Sequence, residues 1–525
     1  MASESTNGTR SEVAVGLKDA AIHVPPVEFE VLIVIGILLA LLMGALDNFV
    51  ALTALHTILT QFGQLSGGTF VISAYVIAST ISIPIFAKLS DLWSRRNVFL
   101  GGLAIFMIGS ALSGLSQNLT ELIVFRAVQG FGSGGFFPVG IAIVAVTFPP
   151  ETRARVIGGL SGVFGIAVVA GPLIGSFIVD HASWRWVFYV NIPFGLAGFF
   201  LIAAVLGPLR PELVRRFDLL GAALLTGWVS ALMFPLYEIA DNGWSWTAPG
   251  VVGLFVVAAL VAVAFVIWEY RADNPLVPVR LFSNRVIAAG GGGTFFIGTV
   301  FFPVATFLSL VVGEALANGA SNTPDITRDI LYALVIPLVV GAALGGQLLT
   351  RLSYRVVAVT GLSIGLIGMA GLAFLSTSTP LWTFYLGVIP VGGVVLPLIP
   401  LGFGIGMTFP VFLLAAQNEV PKADVGEAGG LIQFLQSLGG AVGLAVLSSF
   451  QQTWFNGRAP VLPTAACYST APPALCGPYF GLFKSAVINS YDVTFAIMAV
   501  LLVVSLAFVL TLRGRMPVKA PSPPH

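Results

Sequence analysis

Long apolar runs separated by short polar segments recur along the whole chain. A helix rising 1.5 Å per residue needs about 20 residues to cross a hydrocarbon core of about 30 Å. Fourteen runs meet that length, near 31–59, 67–89, 97–116, 120–147, 154–179, 186–207, 218–240, 248–270, 286–313, 328–350, 356–376, 396–418, 428–453 and 493–512. The pattern predicts an all-α polytopic membrane protein. The stretch 377–395 is also apolar, but Pro and Gly interrupt it. It reads as a re-entrant or interfacial insert, with a fifteenth span as the competing count. Residues 1–28 are polar, end at Pro25-Pro26 and lack the apolar core of a secretory signal, so they read as a disordered cytoplasmic tail.

Asp47 sits in the middle of the first run. A carboxylate at the centre of a membrane helix costs about 2.5–3.5 kcal/mol on insertion scales, so it faces protein or water and marks a candidate site. Low dielectric disfavours its charged form. Such a group can hold a proton when closed off and lose it when water reaches it, which is the switch a proton-driven transporter needs. A polar lock between helices is the alternative use of the same residue. His56 lies nine residues on, about half a turn away at ~3.6 residues per turn, and reads as a packing or end-of-helix residue.

Composition supports the membrane reading. Of the 525 residues only 9% are charged and 57% are hydrophobic, with a mean hydropathy of +0.97; soluble domains carry about 25% charge. The 60 glycines suit closely packed membrane helices. With the N-terminus inside, nineteen of the 24 Lys and Arg fall in inner segments, four in outer ones, and one, Arg126, within a run. That asymmetry is the positive-inside signal, and it predicts cytoplasmic termini in a plasma or inner membrane. The only two cysteines, Cys467 and Cys476, fall in the outer loop 454–492, where a disulfide is favoured over two free thiols. Gly130-x-Gly132-x-x-Gly135 matches a dinucleotide fingerprint by letter only, since no strand precedes it. There is no GxxxxGK[ST] phosphate loop, and four scattered His with two Cys offer no metal site. Neither cofactor nor nucleic acid is expected, and the chain does not read as an enzyme.

The chain repeats itself. GFGSGGFFP (Gly130 to Pro138) recurs as GFGIGMTFP (Gly402 to Pro410), an offset of 272. Pro150…Gly158-Gly159-Leu160 recurs as Pro421…Gly429-Gly430-Leu431, an offset of 271, and AKLSDLWSRR (Ala87 to Arg96) more weakly as GQLLTRLSYR (Gly346 to Arg355), an offset of 259. The copies lie in helices of the same direction, so runs one to six and nine to fourteen are parallel six-helix halves. The expected organisation is a first half at 29–209, two inserted helices at 210–284, a second half at 285–512 and a cytoplasmic tail at 513–525. Parallel halves of this kind are a transporter plan, with substrate held at midplane between them.

With those motifs in place the sequence resembles the major facilitator superfamily, and more narrowly its fourteen-helix drug:proton antiporter branch. AKLSDLWSRR resembles the family's signature loop through Asp91, Arg95 and Arg96, with departures at Ala87, Leu92 and Ser94. LIVFRAVQGFGSGG resembles the second motif through Arg126, Gln129, Gly130 and Gly132, and GVFGIAVVAGPLIG the antiporter motif through Gly165, Gly171, Pro172 and Gly175. SWRWVFYVNIPFG (Ser183 to Gly195) resembles the segment joining the fifth and sixth helices. The first-helix motif matches only partly, at Leu46-Asp47, and Gln436 stands where the branch commonly has an Arg.

The resemblance implies a major facilitator fold: two parallel six-helix halves plus two inserted helices. It places Arg126 beside Asp47 as a proton-coupling partner, the alternative being an Arg bonded to backbone carbonyls. It implies that the Asp91–Arg96 loop gates the inner side, and that the Gly-Pro motif goes with export. Cavity candidates are Asn48, Tyr75, Gln129, Gln417, Gln433 and Gln436, with Phe295, Phe296 and Phe301. The expected function is proton-coupled export of an amphipathic or lipophilic small molecule by a monomer in contact with membrane lipids. A lipid or glycolipid exporter is the alternative, and a non-transporting receptor the reading from another class.

Overall fold

The computed structural model describes residues 27–63, 68–148, 156, 167, 170–207, 217–311, 323–349, 351–374, 384–386, 389–391, 393–420, 425–458 and 473–512. Its helices are α1 (Val27–Gln61), α2 (Gly68–Leu92), α3 (Arg95–Leu115), α4 (Leu119–Ser133), α5 (Phe136–Thr147), α6 (170–181), α7 (Trp186–Tyr189), α8 (Asn191–Val205), α9 (Leu219–Asn242) and α10 (Pro249–Arg271). There follow α11 (Arg285–Val311), α12 (Thr323–Leu348), α13 (Tyr354–Leu372), α14 (Leu398–Asn418), α15 (Val425–Asn456) and α16 (Pro473–Leu510). Among the described residues, 13 helical segments are long and apolar enough to cross a membrane. Most of the remaining expected run, 154–179, lies outside the described residues, apart from its helical end in α6.

Local chemistry sets the helix ends. Asn118 caps α4 by accepting from Glu121 N at 2.9 Å, while Glu121 reaches back to Gln117 N at 2.8 Å, a reciprocal capping box. Asp218 caps α9 through Gly221 N at 2.7 Å, and Gly243, at φ +65°, ends the same helix in a conformation that L side chains rarely adopt. Pro249 opens α10, where a missing N–H is harmless.

The structure departs from the apolar pattern at three places. The fourth run divides into α4 and α5 at Gly134-Gly135. A Cβ on Gly134 would lie 2.0 Å from Ser82 Oγ, and one on Gly135 2.8 Å from Phe86, so α2 presses close at the break. Within 377–395, Phe384–Leu386 (β1) and Ile389–Val391 (β2) form a two-stranded antiparallel hairpin rather than a helix. The outer loop expected at 454–492 is shorter than the sequence implied: α15 runs on to Asn456 and α16 already begins at Pro473.

Packing follows the repeats. In the first half α4 lies against α2 and α3, and α8 against α1 and α3; in the second, α14 lies against α12 and α13, and α11 against α15 and α16. The inserted helices α9 and α10 pair with each other. α9 also packs on α15, where the Trp246 indole donates to Thr453 Oγ1 at 3.1 Å, while α10 buries only 17% of its most apolar window. The halves touch where α1 meets α11 and α2 meets α15.

Candidate functional site

Asp47 is 1% exposed and closed into a polar cluster drawn from four helices. Its Oδ2 accepts from Arg126 Nη1 of α4 in a salt bridge with both side chains fully buried. Its Oδ1 accepts from Gln129 Nε2 of α4 at 2.7 Å and from Asn191 Nδ2 of α8 at 2.8 Å. Ser110 of α3 completes the ring: its Oγ accepts from Gln129 at 3.1 Å and Asn191 at 3.0 Å, and donates to Phe188 O at 2.8 Å. Both amide hydrogens of Gln129 and both of Asn191 are thus used, and the Gln129 carbonyl accepts from Arg126 Nη1 at 2.9 Å.

Three things hold Arg126 in place. Its Nε donates to Val71 O at 3.3 Å, its guanidinium carbon sits 4.3 Å from the Tyr75 ring centroid, and Phe188 covers it from 5.7 Å. A cation over an aromatic face gains about 2 kcal/mol when desolvated. Tyr75 in turn donates to Gly44 O of α1 at 3.3 Å. Among the described residues the Nη2 of Arg126 has no hydrogen-bond partner, and it is buried. So the pair is poised rather than saturated: one guanidinium nitrogen stands ready for another acceptor. A half-broken buried pair costs about 3–5 kcal/mol.

Glycines let these side chains meet. A Cβ on Gly109 would fall 2.4 Å from Gln129 N, and one on Gly130 2.2 Å from Tyr75 O. With backbone on both sides of the contact, only glycine admits α3 and α2 this close to α4. Gly171 and Gly175, with Pro172 between them, are buried against α1: their Cβ positions lie 2.5 Å from Phe49 Cβ and 1.9 Å from Thr53 Oγ1. Gly165 lies outside the described residues.

Beside the cluster, residues of α1, α2 and α11 enclose a small apolar cavity, with Ala45, Asn48, Phe49 and Leu52 on one side and Phe301, Phe302, Ala305 and Thr306 on the other. Asn48 donates to Gly44 O at 3.3 Å, and its Oδ1 is buried without a partner among the described residues. Of the other cavity candidates, Tyr75 and Gln129 belong to the cluster. Gln417, Gln433 and Gln436 are half-buried on α14 and α15; the Gln417 side-chain amide lies 2.8 Å from where a Cβ on Gly429 would sit, and the Gln436 backbone oxygen 2.1 Å from one on Gly298. Phe295 meets Phe296 edge-on, Phe296 lies tilted against Phe508, and Phe301 meets Phe409 edge-on.

In the α2–α3 turn, Arg96 donates to Ala203 O of α8 at 2.6 Å, tying the turn to its own half, and the Asp91 side chain lies outside the described residues. A contact that leaves this half comes from Lys88, whose Nζ donates to Pro275 O beyond α10 at 3.0 Å. Cys467 lies outside the described residues, as does the Cys476 side chain.

Sequence reasoning missed Asn191 and Ser110. Asn191 carried a signal, as an amide inside the otherwise apolar VFYVNIPFG; Ser110 carried none that sets it apart from the many serines of these helices.

The model of the Major Facilitator Superfamily matches residues 37–444. The chain belongs to the major facilitator superfamily. It is 33% identical over 433 residues to multidrug resistance protein 3 of Bacillus subtilis, covering 81% of this chain and 80% of that one. It is 28% identical over 444 residues to the multidrug export protein EmrB of Haemophilus influenzae, covering 83% of each. A bacterial homologue of the human lysosomal transporter Spinster, solved in an inward-facing, unoccupied conformation, shares the fold with a TM-score of 0.61 at 14% identity, covering 93% of this chain and 98% of that one. This is a multi-pass membrane transporter of the multidrug exporter branch.

Proposed function

We propose that the protein exports amphipathic or lipophilic small molecules in exchange for protons, by alternating access between halves at 29–209 and 285–512, with 210–284 as the inserted pair. The Asp47–Arg126–Gln129–Asn191–Ser110 cluster carries this reading. It is a buried charge pair at membrane depth, with a carboxylate able to take a proton and a guanidinium nitrogen left without a partner. The nineteen-to-four bias of basic residues supports cytoplasmic termini and puts the α2–α3 turn on the inner face. Asp91, Arg95 and Arg96 then serve the inner gate. Contact between the second halves of α1 and α11 closes the opposite, outer side. Both halves come from one chain, so a monomer suffices.

The cycle runs through the pair. A proton arriving from outside neutralises Asp47 and removes the charge that holds Arg126 Nη1. Arg126 then keeps Gln129, Val71 and the Tyr75 ring, and its cost of burial rises until the halves rearrange. Release of the proton to the inside restores the salt bridge. One charge crossing 100 mV releases about 2.3 kcal/mol, enough for roughly fifty-fold accumulation before any pH gradient is counted. Substrate seats beside the cluster, with a hydrogen-bond donor on Asn48 Oδ1 and apolar bulk against Phe49, Leu52, Phe301 and Phe302. The names of the relatives point to drugs rather than lipids as the substrate class. Purified protein in vesicles under an imposed pH gradient tests the proposal. Export of a lipophilic dye should follow the gradient in the wild type and ignore it in Asp47→Asn; gradient-driven export by Asp47→Asn would sink it.

A further inference from the structure

The inserted helix pair carries two acidic groups that this transport cycle leaves unused. Asp218 caps α9 through Gly221 N at 2.7 Å, and both its carboxylate oxygens accept from the Trp268 indole at 2.9 Å. The next residue, Glu269, closes the last turn of α10 and is 0% exposed. Its Oε2 accepts from Val277 N at 3.0 Å and the Leu276 N–H also acts on the carboxyl, while its Oε1 is buried without a hydrogen-bond partner in geometric reach among the described residues. A Cβ on Gly221 would lie 2.6 Å from Asp218 Oδ2 and 2.7 Å from that Glu269 Oε1. The two carboxyls therefore face each other across a residue that has no side chain to separate them.

The surroundings define what can answer Oε1. Among the described residues, the charged groups acting on Glu269 are Asp218 from α9 and Lys88 from α2. Lys88 donates from its Nζ to Pro275 O at 3.0 Å, on the link between α10 and α11. Arg271, Asp273 and Arg280 of the same link are exposed, and Arg280 is turned onto Tyr270 O at 2.9 Å. A buried carboxylate oxygen with no donor is costly. Two carboxyls that share a site, one buried and one half-buried, meet that demand by holding one proton between them.

We propose that Glu269 and Asp218 form a shared-proton carboxyl pair, a protonation site separate from Asp47, that fixes the α10–α11 link against the end of α2. The proton comes from water on the face that bears the α2–α3 turn. It binds Glu269 Oε1 and is donated to Asp218 Oδ2, leaving Glu269 Oε2 on Val277 N. Its loss to the same water sets two anions against each other across Gly221. The grip on Val277 then changes, and with it the hold of Pro275 on Lys88. The turn beside the proposed gate thus senses pH on its own face, through helices that take no part in carrying substrate.

Infrared difference spectra between acidic and alkaline pH, on the full-length protein in lipid nanodiscs, read this directly. The carbonyl band of one protonated carboxyl should vanish in Glu269→Gln, shift in Asp218→Asn and persist in Asp47→Asn. Should a variant fail to fold, wild-type protein labelled with carboxyl-13C glutamate replaces it: the band must move on labelling. A band that survives Glu269→Gln, or that does not move with labelled glutamate, overturns the proposal. In vesicles, Glu269→Gln should flatten the response of transport rate to pH on the turn-bearing face and keep the proton-to-substrate ratio. An unchanged pH response overturns the sensing role; a lowered ratio puts Glu269 in the coupling path and overturns its separation from Asp47. The spectra need no transport, so the pair stands or falls apart from the exporter reading.

Discussion

The two halves share a seam but not its chemistry. In the first, Cβ positions on Gly130, Gly132 and Gly134 would strike Tyr75 O, Gly102 O and Ser79 O. In the second, those on Gly402, Gly404 and Gly406 would strike Leu334 O, Gly361 O and Leu338 O. The glycines differ by 272 and their partners by 259, the two offsets already visible in the repeats. Gly109 against Gln129 N and Gly368 against Leu401 N obey the same pair of offsets. At those offsets Arg126, Gln129 and Ser110 become Leu398, Leu401 and Met369, all fully buried. One backbone frame therefore supports a charged cluster in one half and an apolar core in the other. The fold lives in the glycines, and the buried charge in a few side chains laid on them.

The sharpest break is to the shared frame. Gly130→Leu and Gly402→Leu each force a side chain onto a carbonyl oxygen, at 2.2 and 1.9 Å from the Cβ position. Both should prevent accumulation of folded protein to a similar degree, measured by fluorescence-detected size exclusion. A large difference between them would mean that the seams are not equivalent.

Next comes the cluster alone. Asp47→Asn leaves Arg126 buried without its counter-ion and should cost about 3–5 kcal/mol of stability as well as gradient-driven export. The double variant Asp47→Leu/Arg126→Leu makes the first half resemble the second. Well-packed apolar replacements of buried ion pairs are often neutral or stabilising by about 1–4 kcal/mol. It should melt above Asp47→Asn, short of the full gain because Gln129 and Asn191 lose partners, while exporting nothing against a gradient. Export by that variant would show that the charges serve packing only.

Asn191→Leu removes one donor from Asp47 Oδ1 and one from Ser110, and should cost about 1–3 kcal/mol. Transport should survive with a shifted pH profile, seen in vesicle assays across a pH series. The smallest effect belongs to Asn48→Leu. It should change the ranking of substrates by roughly ten-fold, the scale of about 1–3 kcal/mol set by one pocket contact, with the proton ratio unchanged.

The spans, the parallel halves, Asp47 and Arg126 were legible because each rests on a local signal: run length, repeat, or a charge in an apolar stretch. Gln129 came with the same motif as Arg126. Asn191 stands 144 residues from Asp47 and 81 from Ser110, and only the packing of α1, α3, α4 and α8 brings them together. The α2–α3 turn was read as one gating unit. Of its residues Arg96 holds its own half through Ala203 O, and Lys88, outside that unit, reaches Pro275 O; neither backbone partner can be read from charge. The hairpin at 384–391 escaped because an apolar stretch broken by Pro and Gly has no helical or strand period to follow.

Proton release on substrate binding tests the central claim most directly. Purified protein in weakly buffered solution with a pH indicator should release protons when a lipophilic substrate is added, and Asp47→Asn should bind the same substrate and release none. Equal release from Asp47→Asn would contradict the assignment of the exchanged proton to Asp47.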